Sequence, residues 1–133
     1  MKTRWLVLCG VIVISVLLLS ACGGGAATAP TSAPQPGALK GDAAKGKVAF
    51  AGTCSACHGA DAKGVSGLGK DLTASTYAKG LSDADYVAFI KKGRPSSDPA
   101  NTTKVDMPPK GGNPALTDQD LADIVTYVRT LQK

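Results

Sequence analysis

The chain holds a single histidine, and it follows directly on a Cys-x-x-Cys pair: Cys54-Ser55-Ala56-Cys57-His58. No other feature narrows the available folds so far. If this stretch is helical, Cys54 and Cys57 lie about 60° apart around the axis, and Cys54 and His58 about 40°. Two thiols and an imidazole then face one object. Four readings compete: a thiol–disulfide switch, a zinc half-site, a haem attachment site, or chance.

The other two cysteines, Cys9 and Cys22, stand near the start, so the spacing is not that of a disulfide framework. Lys2 and Arg4 precede an apolar run from Trp5 to Leu19. That run is short of the roughly 20 residues a membrane-spanning helix needs. A basic start, an apolar centre and small residues after it read as a secretory signal. Leu19-Ser20-Ala21-Cys22 resembles the bacterial lipobox. The resemblance implies loss of residues 1–21 and lipidation of Cys22. Two or more acyl chains hold a protein stably on a membrane. The expected location is therefore exported, on the outer face of the cytoplasmic membrane or at the periplasmic or outer membrane. An uncleaved signal anchor is the alternative, with the same sidedness.

Residues 23–40, GGGAATAPTSAPQPGALK, hold too little apolar surface to fold and read as a flexible linker. Extended, it spans roughly 60 Å. The expected organisation is a signal peptide over 1–21, a lipidated cysteine and linker over 22–40, and a folded domain over 41–133. The chain carries 15 Lys+Arg against 10 acidic residues, all of them Asp. There is no basic block of the kind that binds nucleic acid, so no nucleic-acid partner is expected. The modest lysine excess suits docking on an acidic protein surface.

Within 41–133 three helical signals stand out, and no strand run does. Asp42 is a good N-cap for a helix through Ala43, Ala44, Val48, Ala49 and Phe50, weakened by Gly46 and Gly52. Ser82 caps a second helix to Lys92, with acids in its first turn and lysines in its last. Tyr86, Phe89 and Ile90 share one face of it. Thr117-Asp118-Gln119-Asp120 is close to a capping box. It opens a third helix with Leu121, Ile124, Val125, Val128 and Leu131 in one apolar stripe. A weaker helical signal covers 73–79. The expected fold class is all-α. Three helices so poor in apolar residues make a thin core, so a further body is expected at the centre. The glycines between 59 and 69 suggest close backbone approach to it. Residues 93–116 contain Pro95, Pro99, Pro108, Pro109 and Pro114 and show no periodicity. A loop that long in a compact domain is functional or disordered.

Haem makes best use of this arrangement. Two thiols form thioether bonds to its vinyl groups and an imidazole reaches the iron, and Cys-x-x-Cys-His is the attachment motif. Zinc takes four ligands in structural sites and three in catalytic ones, and the chain has no second Cys/His cluster. A thioredoxin-like pair expects a βαβ context. Cys54 and Cys57 are thus the expected covalent attachments, and His58 an axial iron ligand. Electron-transfer haems often take Met opposite His. Met107 is the methionine left once residues 1–21 are gone, and it precedes Pro108-Pro109. The prolines bias Met107 to extended backbone and set the next two φ angles. Met107 is the expected second axial ligand, with a lysine or an open position as the alternative.

Together these residues resemble a monohaem class I cytochrome c, over residues 41–133. The resemblance rests on Cys54-Ser55-Ala56-Cys57-His58-Gly59, Met107-Pro108-Pro109 and the last helix with Tyr127. It implies a small fold of three main helices wrapped around one covalently bound haem c, the first and last crossing near it. Gly46 and Phe50 fall at the contact positions of the first helix, and Tyr127 at that of the last. Leu72 matches a haem-contact leucine. One departure stands out. The family often has a Gly-Pro-x-Leu-like segment whose carbonyl accepts from the histidine's distal N–H. Here Gly69-Lys70-Asp71-Leu72 puts Lys70 at the proline position, with a carbonyl still available.

The implied function is a membrane-anchored one-electron carrier between respiratory or photosynthetic complexes outside the cytoplasm, a monomer and not an enzyme. Its redox partners are an upstream quinol-oxidising complex and a downstream oxidase, reductase or photosynthetic centre. Lys63, Lys70, Lys79, Lys104 and Lys110 are candidates for steering docking. The alternatives are a haem-based ligand binder or sensor with Met107 off the iron, a fixed haem subunit of an oxidoreductase complex, and a haem-free dithiol oxidoreductase.

Overall fold

The computed structural model describes residues 39–133. The expected signal peptide (1–21), the lipidation site Cys22 and linker residues 23–38 lie outside the described residues. The element order is α1 (Ala43–Thr53), α2 (Ser55–His58), α3 (Thr76–Gly80), α4 (Asp83–Lys92), a 3₁₀ turn (Pro109–Gly112) and α5 (Asp118–Leu131). Among the described residues there are no strands, and the one β-pairing is an isolated antiparallel bridge between Arg94 and Met107. The fold is all-α, as expected. Among the described residues no helix is long and apolar enough to cross a membrane.

The helix starts follow capping chemistry. Asp42 accepts from the N–H groups of Ala44 (2.8 Å) and Lys45 (3.2 Å). The Ser82 hydroxyl accepts from Asp85 N–H at 3.1 Å. Thr117 and Asp120 form a complete capping box, each side chain accepting from the other's backbone N–H. Such caps answer orphan donors that water would otherwise have to satisfy. The weak signal over 73–79 becomes α3, displaced to Thr76–Gly80 because Ser75 caps it.

α1 and α5 cross closely. A Cβ built at Gly46 would collide with the Asp123 carbonyl, so only glycine lets the two backbones meet there. Phe50 and Tyr127 pack at the same crossing with ring centroids 5.5 Å apart. Phe50, Leu121, Ile124, Val125 and Val128 are fully buried. Each such side chain contributes about 1.5–3 kcal/mol of apolar burial. α1 is not amphipathic in the ordinary sense: it buries only Gly46 and Phe50, and Val48 is 74% exposed. Arg129 ties α5 to its neighbours through Asp83 (2.9 Å) and the carbonyls of Ala78 (2.9 Å) and Leu81 (2.6 Å).

Candidate functional site

α1 and α2 meet at Cys54, whose backbone stays in the helical region (φ −91°, ψ −28°). Its N–H donates to the Phe50 carbonyl at 2.8 Å, and its carbonyl accepts from Cys57 (3.2 Å) and His58 (2.9 Å). The motif therefore lies on nearly continuous helix. Cys54, Cys57 and His58 line one cavity of about 700 Å³, and Leu72 and Met107 line it too. The site residues expected within the domain are thus gathered in one place, while Cys22 falls outside the described residues. Cofactor sites run to roughly 300–1,000 Å³. Phe50, Ile124 and Val128 bring the apolar core to the cavity wall.

Cys54 and Cys57 are free thiols. Burial, and then the neighbouring Cys57, push the Cys54 thiol up to about 11. Disulfide-exchange catalysts need the opposite, a depressed thiol, so the environment runs against the dithiol reading. Burial likewise pushes the Tyr86 phenol on the cavity wall up to about 12, with Arg129 opposing.

His58 Nδ1 lies 2.9 Å from the carbonyl oxygen of Lys70. A carbonyl only accepts, so this is a hydrogen bond with the proton on Nδ1, which leaves the Nε2 lone pair for a metal. The carbonyl is Lys70's own, at the position where the family often has proline. Backbone packing holds it instead. Gly69 lies against the Cys57 carbonyl, where a Cβ would collide, and Gly64 against Gly69 and Asp71. Gly64 N–H donates to His58 O (2.7 Å), Val65 N–H to Cys57 O (2.9 Å) and Leu72 N–H to Ala62 O (2.8 Å). These glycines serve the close approach of the loop to its own backbone, rather than only to a central body as their frequency suggested. Gly59 is needed for another reason, its φ of 76°.

The aperiodic stretch 93–116 is ordered by polar contacts. Arg94 and Met107 exchange two backbone hydrogen bonds of 2.8 Å each. Met107 is partly buried against the core. The Arg94 guanidinium stacks over Tyr77 at 4.3 Å and Phe89 at 4.8 Å. Sequence reasoning missed Arg94 and the buried Asn101: Arg94 stacks on rings of α3 and α4, and the partners of Asn101, two to six residues away, lie in a stretch with no periodic signal. Of the docking lysines, Lys70 is on the cavity rim. Lys110 donates to the carbonyls of Leu116 (2.7 Å) and Pro114 (3.2 Å). Lys79 bonds the Lys133 carbonyl at 2.6 Å, and Lys63 pairs loosely with Asp61 at 3.8 Å.

Two thiols, an imidazole with one uncommitted nitrogen and a thioether on the walls of one largely apolar cavity fit haem c. Residues 43–132 match the family described as Cytochrome c. Cytochrome c-555 of Prosthecochloris aestuarii is 33% identical over 87 residues, 65% of this chain and 85% of that protein. Cytochrome c-555 of Chlorobaculum thiosulfatiphilum is 38% identical over 88 residues, 65% of this chain and 93% of that protein. No solved structure matches the chain. The chain belongs to the cytochrome c family, electron-transfer proteins rather than enzymes, which carry covalently bound haem c.

Proposed function

We propose that this chain is a lipid-tethered, one-electron carrier outside the cytoplasm, its haem c joined to Cys54 and Cys57 and its iron held between His58 and Met107. The observation that carries the reading is the shared cavity: all four donors line it, and His58 is already oriented by the Lys70 carbonyl. Bound haem c supplies a reversible one-electron couple. The chain supplies the surroundings. Lys70 holds the imidazole by its Nδ1 proton, and the apolar wall of Phe50, Ile124 and Val128 keeps water out. A thioether ligand and burial both favour the reduced form. Were His58 and Met107 both to hold the iron, no substrate would reach it, which would separate a carrier from a ligand binder.

Docking is assigned to the cavity mouth. Leu68 and Tyr77, 45% and 46% exposed, line the cavity together with Lys70. An apolar rim with positive charge suits transient contact with acidic redox partners, upstream and downstream, with association slowing as salt rises. The tether rests on the Leu19–Cys22 segment and the linker.

The deciding experiment is a pyridine haemochrome spectrum of the protein extracted from a host competent in haem attachment. Thioether-linked haem, a weak red sulfur–iron band in the ferric state and refusal of carbon monoxide in the ferrous state are expected. Colourless protein with Cys54 and Cys57 open to alkylation sinks the proposal, and ready carbon monoxide binding makes the protein a ligand binder. Incorporation of labelled fatty acid into the wild-type protein, and its loss in a Cys22→Ala variant, checks the tether.

A further inference from the structure

Residues 95–106 leave the helical core after Arg94 and return to it at Met107. The two backbone hydrogen bonds between Arg94 and Met107 are the clasp of this loop. Closing a loop of that length opposes the clasp entropically, and no regular element fills it. One side chain does. Asn101 is only 5% exposed. Its amide nitrogen donates to the carbonyls of Pro95 (3.1 Å) and Val105 (2.7 Å). Its oxygen accepts from the Thr103 hydroxyl (3.0 Å) and Lys104 N–H (3.1 Å). A side-chain amide offers two donors and two acceptor sites, and Asn101 uses all four within the loop.

These bonds reach both limbs close to the clasp. Pro95 follows Arg94, and Val105 stands two residues before Met107. Lys104 sits in the left-handed region at φ 58°, an unfavourable place for a side-chain-bearing residue, and its N–H is held by Asn101. The Asp106 carboxylate adds a cross-tie to Ser96 N–H. Outside the loop, the Arg94 limb is anchored through the stack on Tyr77 and Phe89. The Met107 limb is held by the close packing of Gly93 on its carbonyl and by the core, and Asn101 adds ties from the loop's interior.

We infer that Asn101 is a positioning residue for Met107. Its four-bond hub sets how firmly the thioether is presented to the cavity, and hence how well the second axial position resists external ligands. This rests on the proposed ligation of iron by Met107. An apolar residue at 101 would strand the carbonyls of Pro95 and Val105 and let the limbs part. An aspartate would lose both donors and place a charge in their stead.

The test uses the full-length holoprotein and imidazole as the probe ligand for ferric iron. Asn101→Ala is compared with Thr103→Val, which removes one hydroxyl from the hub. Asp123→Asn is the control: Asp123 is buried at the α1–α5 junction, where it accepts from Asp42 N–H and Gln119 at 2.8 Å each. Apparent affinity for a minor open form scales with its population. Asn101→Ala is expected to raise imidazole affinity about tenfold or more and to weaken the red sulfur–iron band. Thr103→Val moves both readouts the same way by less, and decides alone if Asn101→Ala does not accumulate. Asp123→Asn lowers the melting temperature and leaves both unchanged. The inference is overturned if the loop variants lower the melting temperature while band and affinity stay at wild type, or if the control raises affinity equally. Met107→Ala tests the underlying reading separately: a band that survives it removes the ligation, and this inference with it.

Discussion

The imidazole of His58 donates from Nδ1 to the carbonyl of Lys70, 12 positions along the chain, at 2.9 Å. What places that carbonyl is the contact of Gly69 with Cys57 rather than the side chain of residue 70. Orientation of the ring therefore depends on a backbone contact next to the attachment motif.

Gly69→Ala puts a methyl group against the Cys57 carbonyl and Cβ. Overpacking of this kind costs about 1–3 kcal/mol. A lower melting temperature and an altered midpoint potential of the holoprotein are expected together. A melting shift with the potential unmoved would mean that the Lys70 carbonyl does not govern the ring.

Two glycines on α1 predict opposite outcomes. A Cβ at Gly46 collides with the α5 backbone, while one at Gly52 meets nothing within 4 Å. Gly46→Ala is expected to destabilise by about 2 kcal/mol or more. Gly52→Ala is expected to stabilise by up to about 1 kcal/mol. Thermal melts of the two variants side by side check the α1–α5 crossing, and equal shifts would refute it.

Several carboxylates make the fold acid-sensitive. The Thr73 hydroxyl, with the N–H groups of Ala74 and Thr73, holds Asp71 below its ordinary value. The Thr117 hydroxyl does the same for Asp120, and the N–H groups of Lys45 and Ala44 for Asp42. A folded pKa below the unfolded one gives stability that is present above the ordinary carboxylate value of about 3.9. That stability is lost as pH falls toward the folded pKa. The melting temperature is expected to be nearly flat from pH 7 to 5 as far as these groups are concerned, and to drop below about pH 4. Asp71→Asn should make that drop shallower; an unchanged acid limb would count against Asp71 as a contributor.

Arg94 stacks on two rings at once, a geometry that a lysine cannot reproduce because it lacks a planar cation. Arg94→Lys is expected to cost about 1 kcal/mol, a fall of about 4–8 °C in the melting temperature of a domain this size. A melt superimposable on wild type would show that the stack contributes nothing.

The sequence alone determined the parts of the molecule governed by near neighbours. Asp42, Ser82 and Thr117 announce three helix starts, because an N-cap acts on N–H groups two or three residues ahead. The stripe from Leu121 to Val128 announces a buried face, because helical geometry repeats within a few residues. The Cys54–His58 spacing speaks for one cofactor on the same grounds. Only the tertiary structure decided which carbonyl receives the His58 proton, that Arg94 pairs with Met107, that Asn101 fills the proline-rich loop and that Lys110 bonds the carbonyls of Pro114 and Leu116. It also placed α3 three residues later than its signal began. The His58 and Arg94 pairs join segments that the chain brings together only on folding, while the Asn101 and Lys110 bonds, to residues two to six positions away, form in irregular backbone that composition and periodicity do not describe.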